Sequence, residues 1–186
     1  MRFILAVIFI LVLAAGGAAG FIWSGYFNIS ALVPHWDATT SIIEVVRDRS
    51  ILVNSREVRM PSLQEPGLMP IGASEYHHMC RFCHGGPGVS AEAFAQGLYP
   101  AAADLLSGHV QKEWNDSHLF WIIENGLKMT GMPGFGATHE PKEIASIVVF
   151  LRRLPGMSPE EYKTLTGAPV AAADHDHGHA PHAQGQ

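Results

Sequence analysis

The chain of 186 residues holds two cysteines, and both fall in Cys80-Arg81-Phe82-Cys83-His84. Cys-x-x-Cys-His is the spacing at which two thiols add across the vinyl groups of a haem. The sulfurs come from adjacent turns of one short helix, and the imidazole that follows can reach the iron. Attachment of this kind takes place outside the cytoplasm, so the motif also sets a compartment. Two other chemistries use the same residue types. A redox disulfide belongs in an alternating strand and helix pattern, which the flanking sequence lacks. A structural zinc ion would draw on His77, His78 and His84, but it usually takes a second paired ligand set, and there is no second Cys-x-x-Cys. The motif is read as haem attachment.

A haem iron bound on one side by His84 needs a sixth ligand. Residues 128–136 read Lys-Met-Thr-Gly-Met-Pro-Gly-Phe-Gly and offer two thioethers. A thioether is a soft ligand that favours ferrous iron and raises the reduction potential. Met132 lies 48 residues beyond His84, between Gly131 and Pro133-Gly134, where the backbone bends without filling volume. Met129 is nearer the preceding helix and can simply pack, as methionines commonly do. Met132 is the expected ligand; Met129, His109, His118 and His139 are the alternatives. The other ring nitrogen of His84 needs an acceptor that fixes its tautomer. A carbonyl of the turn Gly85-Gly86-Pro87-Gly88, such as that of Pro87, is the nearest in sequence.

These groups must be positioned by helices. Gly72-Ala73-x-x-Tyr76 leads by a helical turn into Cys80, and the glycines after His84 stop that helix. A short helix is predicted over Ser117–Asn125, capped by Asp116 or Ser117 and stopped at Asn125-Gly126. Trp114, Phe120 and Trp121 are expected in the core, walling the haem. A last helix starts at Glu140-Pro141, with Glu143 placed to satisfy free N–H groups. In it Ile144, Ile147, Val148, Leu151 and Leu154 form one buried stripe. Arg152 and Arg153 suit its C-terminal end, and Pro155-Gly156 closes it.

Upstream, Phe3 to Trp23 is an apolar run of 21 residues without a charge. As a helix it spans roughly 30 Å, the thickness of a bilayer's hydrocarbon core. Arg2 on its short side places that end in the cytoplasm, and the rest of the chain then faces the periplasm. A cleaved signal peptide is the competing reading; the return of apolar character at Phe21-Ile22-Trp23 favours an anchor that stays. Residues 24–70 are read as a lead-in with an amphipathic helix over Ala38–Val53, Asp37 as its cap, and a connector stiffened by Pro61, Pro66 and Pro70. From 157 onward the chain is read as a flexible tail. Its end, with His175, His177, His179 and His182, is of a kind that can take divalent metal, though incidental affinity is the simpler account. Formal charge is −5, and between Ile71 and Gly156 six Lys/Arg stand against eight Asp/Glu. That is no footprint for nucleic acid.

Gly-x-x-x-Tyr ahead of Cys-x-x-Cys-His, a Gly-Met-Pro-x-Phe loop and a terminal helix bearing Phe150 together resemble the class I c-type cytochromes. The resemblance covers about Ile71 to Leu154, less than half the chain. It implies an all-α fold around one covalent haem c, with the first and last helices crossing where Gly72 and Tyr76 meet Phe150. It also implies Cys80 and Cys83 as attachment points and His84 and Met132 as axial ligands. Within that class the chain looks like membrane-anchored mono-haem members, some of which accompany dehydrogenases or other respiratory components. The organisation expected is 1–23 anchor, 24–70 lead-in, 71–156 haem domain and 157–186 tail. The expected role is a single-pass carrier in the cytoplasmic membrane, its haem facing the periplasm and exchanging electrons with protein partners. Filled axial positions argue for a carrier over an enzyme. The alternatives are a relay subunit of a dehydrogenase or oxidase and, with a weak sixth ligand, a haem-based sensor.

Overall fold

The computed structural model describes residues 1–167, so the tail histidines that could take divalent metal lie outside the described residues. Among the described residues every regular element is helical, as the sequence pattern predicts. The first, α1 (Arg2–Ser24), is apolar along its whole length and has no buried residue. Its 23 residues extend about 35 Å, long enough to cross a bilayer. It stops at Gly25, whose φ of 65° supplies the left-handed turn.

Leu68 to His84 forms one helical rod in three parts. It begins as α3 (Leu68–Glu75), opens into a single π-helical turn (Tyr76–Cys80) and closes as α4 (Arg81–His84). Such wide turns are uncommon and gather at functional sites; this one delivers the attachment motif. Later come α5 (His109–Glu113), α6 (Asp116–Asn125) and α7 (Pro141–Arg153). The predicted stripe on α7 is buried, and the Glu143 carboxylate accepts from the Glu140 N–H at 2.8 Å.

α3 and α7 cross in direct backbone contact. A Cβ added at Gly72 would stand 1.9 Å from the Ser146 carbonyl oxygen, so only glycine allows this approach. One turn on, the Tyr76 ring packs against Phe150 with centroids 5.1 Å apart. Tyr76 meets Phe150 as expected, whereas Gly72 meets Ser146, one turn earlier on α7. α6 completes the core with Leu119, Phe120 and Ile123.

Two expectations need correction, and the packing of the lead-in, which the sequence leaves open, becomes visible: α2 (Asp37–Asn54) and the turn Ser55–Glu57 pack against α6. Ile51 is 1% exposed within the core, and Val58, Met60 and Leu63 pack on it. Asp37 is the first residue of α2 rather than its cap, where its charge still faces the N-terminal N–H groups. Nor is 157 the start of a flexible tail. Ser158 caps a further helix, α8 (Pro159–Thr166), accepting from the Glu161 N–H at 3.1 Å. Tyr162 anchors α8 in the core. The Ser-Pro-Glu-Glu run at 158–161 is a capping signature that marks this helix in the sequence.

Candidate haem-binding site

The attachment motif is held at both ends. Ahead of it, Tyr76 is buried and its hydroxyl donates to the Gly85 carbonyl at 2.8 Å, tying the π-helical turn to the chain just beyond His84. Behind it, Gly85 takes a φ of 68°, and Gly86 and Val89 exchange two backbone hydrogen bonds of 2.8 Å. Tyr162 fills the space over Gly86, where a Cβ would lie 2.9 Å from its ring. Burial pushes the Tyr162 hydroxyl up to about 12; it stays protonated, and its oxygen lies 3.2 Å from His77 Nδ1. On the outer side Arg81 lies over the Phe82 ring at 4.4 Å and pairs with Glu92 at 3.1 Å.

Cys80 and Cys83 are free thiols, as thioether formation requires. Burial, reinforced by Glu75 and Cys83, pushes the Cys80 thiol up to about 12. Among the described residues no cluster of three or more His, Cys, Asp or Glu side chains could hold a metal ion, so the zinc alternative gains nothing from the geometry.

His84 Nδ1 lies 2.8 Å from the carbonyl oxygen of Ala103. A carbonyl only accepts, so Nδ1 carries the proton and Nε2 keeps its lone pair. Burial lowers the imidazole pKa, and the Ala103 bond opposes that less strongly. The neutral ring is the form that ligates iron. The acceptor is Ala103 rather than the expected Pro87; of the turn beside it, the Gly85 carbonyl is taken by Tyr76 and those of Gly86 and Val89 by each other's N–H. Asp104 fixes the backbone just beyond, its carboxylate accepting from Leu106 and Ser107 N–H at 2.8 and 3.3 Å.

Met132 sits in a closed loop. Thr130 Oγ1 donates to the Leu127 carbonyl at 2.7 Å and accepts from the Met132 N–H at 3.0 Å, and the Leu127 N–H returns to the Met132 carbonyl at 3.2 Å. Gly126, at a φ of 67°, lets the loop press on the end of α6: a Cβ there would be 2.5 Å from Gly134 N. The Met132 side chain is half-buried against the core, whereas Met129 is 84% exposed at a φ of 63°. His109 and His118 are engaged elsewhere, facing Glu113 at 3.6 Å and capping α6 respectively. His139 faces Glu75 at 3.6 Å.

One loop connects the two ligand candidates. Leu98 packs against Gly131, beside Met132, while Ala103 of the same loop holds His84. Leu98 and Ala103 were not singled out in the sequence, and a backbone carbonyl leaves no signal there. Leu106, Trp121, Ile122, Leu127 and Phe135 are apolar, partly buried and packed on the core. Two free thiols, an oriented imidazole, a held thioether and apolar side chains together fit a covalently attached haem.

Residues 67–151 match the family model described as cytochrome c oxidase, cbb3-type, subunit III. That stretch is a little under half of the chain and contains all four candidate residues. No curated protein matches the chain. The chain carries a c-type cytochrome domain, which binds haem c covalently and transfers electrons rather than transforming a substrate.

Proposed function

We propose that the chain is a membrane-tethered carrier with a single haem, attached through Cys80 and Cys83, ligated by His84 and Met132, and facing the periplasm. When bound, the haem supplies a one-electron couple between ferric and ferrous iron. The protein's part is to hold both ligands still. The Ala103 carbonyl keeps the proton on His84 Nδ1, so Nε2 is offered in one orientation. The loop around Thr130 presents Met132 without fixing its thioether in a hydrogen bond. The apolar surround excludes water and favours the less charged ferrous state. A helix of α1's length tethers the domain near membrane-bound partners and raises its effective concentration there.

The observation that carries this reading is the contrast between Met132, half-buried in a closed loop, and Met129, exposed at a positive φ. Optical spectra of the haem-loaded protein and its variants test it. The weak red ferric band of thioether-ligated haem should be present in the wild type and in Met129→Ala, and lost in Met132→Ala. Its survival in Met132→Ala would overturn the assignment. The matched family description favours a second reading, a fixed relay subunit of an oxidase complex. A stoichiometric partner copurifying in mild detergent would select it over the independent carrier.

A further inference from the structure

α2 has two apolar sides, and the fold uses one. Ile51 faces α6 inside the core. Opposite it, Ile42, Val45, Val46 and Val53 are 66%, 61%, 63% and 49% exposed. At about 100° per residue these four fall within an arc of about 100° centred opposite Ile51. Arg49 lies in that arc, with a stem long enough to lift its guanidinium clear of an apolar phase. The acidic residues Asp37, Glu44 and Asp48 all project on the Ile51 half. A helix so divided, with an exposed apolar arc and its acidic residues on the other half, is suited to a lipid surface.

Its position suits one too. Phe21 of α1 and Tyr26, Phe27, Val33 and Trp36 of the following segment line one small cavity that also reaches Thr39 of α2. The start of α2 therefore shares this cavity with the end of α1. Trp23, Tyr26 and Trp36 are 92%, 82% and 73% exposed there, the residue types that settle at headgroup level. α2 is joined to the cytochrome domain through Ile51, and the segment just before it through Tyr99, whose hydroxyl accepts from the His35 N–H at 2.9 Å.

We propose that α2 lies on the bilayer surface with Ile42, Val45, Val46 and Val53 in the interface, holding the haem domain in one orientation against the membrane. This rests on α1 spanning that membrane. The test reconstitutes the full-length, haem-loaded protein in vesicles of phosphatidylcholine containing a diazirine-bearing acyl chain. After photolysis, lipid adducts are mapped by mass spectrometry. Adducts are expected on α1 and on the 42–53 peptide. In Ile42→Glu/Val46→Glu those on α2 should fall to background while α1 labelling and the haem spectrum persist. Adducts confined to α1 would overturn the proposal and assign the face to a protein partner or a second copy. Adducts on neither helix would overturn it together with the membrane-spanning reading of α1.

Discussion

Replacing Gly72 with alanine sets two effects against each other, and their magnitudes predict which wins. Within a helix, alanine is favoured over glycine by about 1 kcal/mol, so on local grounds the variant should be the more stable. At the crossing, however, the new Cβ would stand 1.9 Å from the Ser146 carbonyl oxygen and 2.5 Å from its carbon. Ordinary contact begins at 3.4 Å, so α3 and α7 must separate by about 1.5 Å. Both neighbours are backbone atoms, and no side-chain rotation relieves them. Overpacking typically costs about 1–3 kcal/mol, and a backbone clash between two core helices belongs at the upper end. The net is a loss of about 2 kcal/mol.

For a folded body of this size 1 kcal/mol moves Tm by about 2–4 °C, so the variant should melt about 4–8 °C lower. The assay is thermal unfolding of the haem-loaded protein, followed by far-ultraviolet dichroism and by the Soret band. Gly97→Ala is the control: a Cβ there meets nothing within 4 Å, and its Tm should stay within about 2 °C. A Gly72→Ala protein as stable as the wild type, or more stable, would refute the close crossing and the rigid platform it gives Cys80.

Three further outcomes follow from the same geometry. Gly126→Ala, at a positive φ and 2.5 Å from Gly134 N, should displace the Met132 loop and weaken the thioether band while leaving haem covalently attached; an unchanged band would show that the loop is not set by this contact. Ile51→Ala should cost about 2–4 kcal/mol of stability in denaturant titrations of the haem-loaded chain, whereas a lead-in that served only as a tether would lose almost nothing. His118 Nδ1 accepts from the Asn115 N–H at 3.3 Å, and burial lowers its pKa, so the neutral ring belongs to the native state. Its contribution is present above the unfolded value of about 6.5 and is lost as pH falls through the lower folded value. His118→Gln, which keeps an acceptor at that position, should reduce the loss of stability on acidification, and an identical pH profile would remove His118 from the account.

What could be read from the sequence was local chemistry. Cys80, Cys83 and His84 sit within five residues, and the stripe on α7 repeats at helical spacing, so both declare themselves without knowledge of the rest of the fold. Residues joined across the chain did not. The acceptor for His84 is a main-chain oxygen 19 residues away, and any side chain at position 103 would supply the same atom. Ile51 looked like one more apolar residue on an amphipathic helix, because periodicity does not say which of two apolar sides will be covered. α8 was legible at Ser158–Glu161, but the Ala/Gly/His-rich sequence beyond it set the reading of the whole end. The cap of α6 moved to Asn115, which accepts from the His118 N–H at 2.9 Å. Neighbouring Asn, Asp and Ser compete for that role on nearly equal terms.

The long-range contacts also bear on how a tether and a redox centre are combined. A flexible linker would let the haem approach partners from any side, at the cost of many unproductive encounters. Here the segment that follows α1 is built into the cytochrome domain: Ile51 lies in its core, and Tyr99 receives the His35 N–H. Tyr99 belongs to the same loop as Leu98, packed beside Met132, and Ala103, hydrogen-bonded to His84. The loop that fixes both candidate ligands is therefore the loop that grips the lead-in. The architecture favours a haem presented in one direction over one that searches freely.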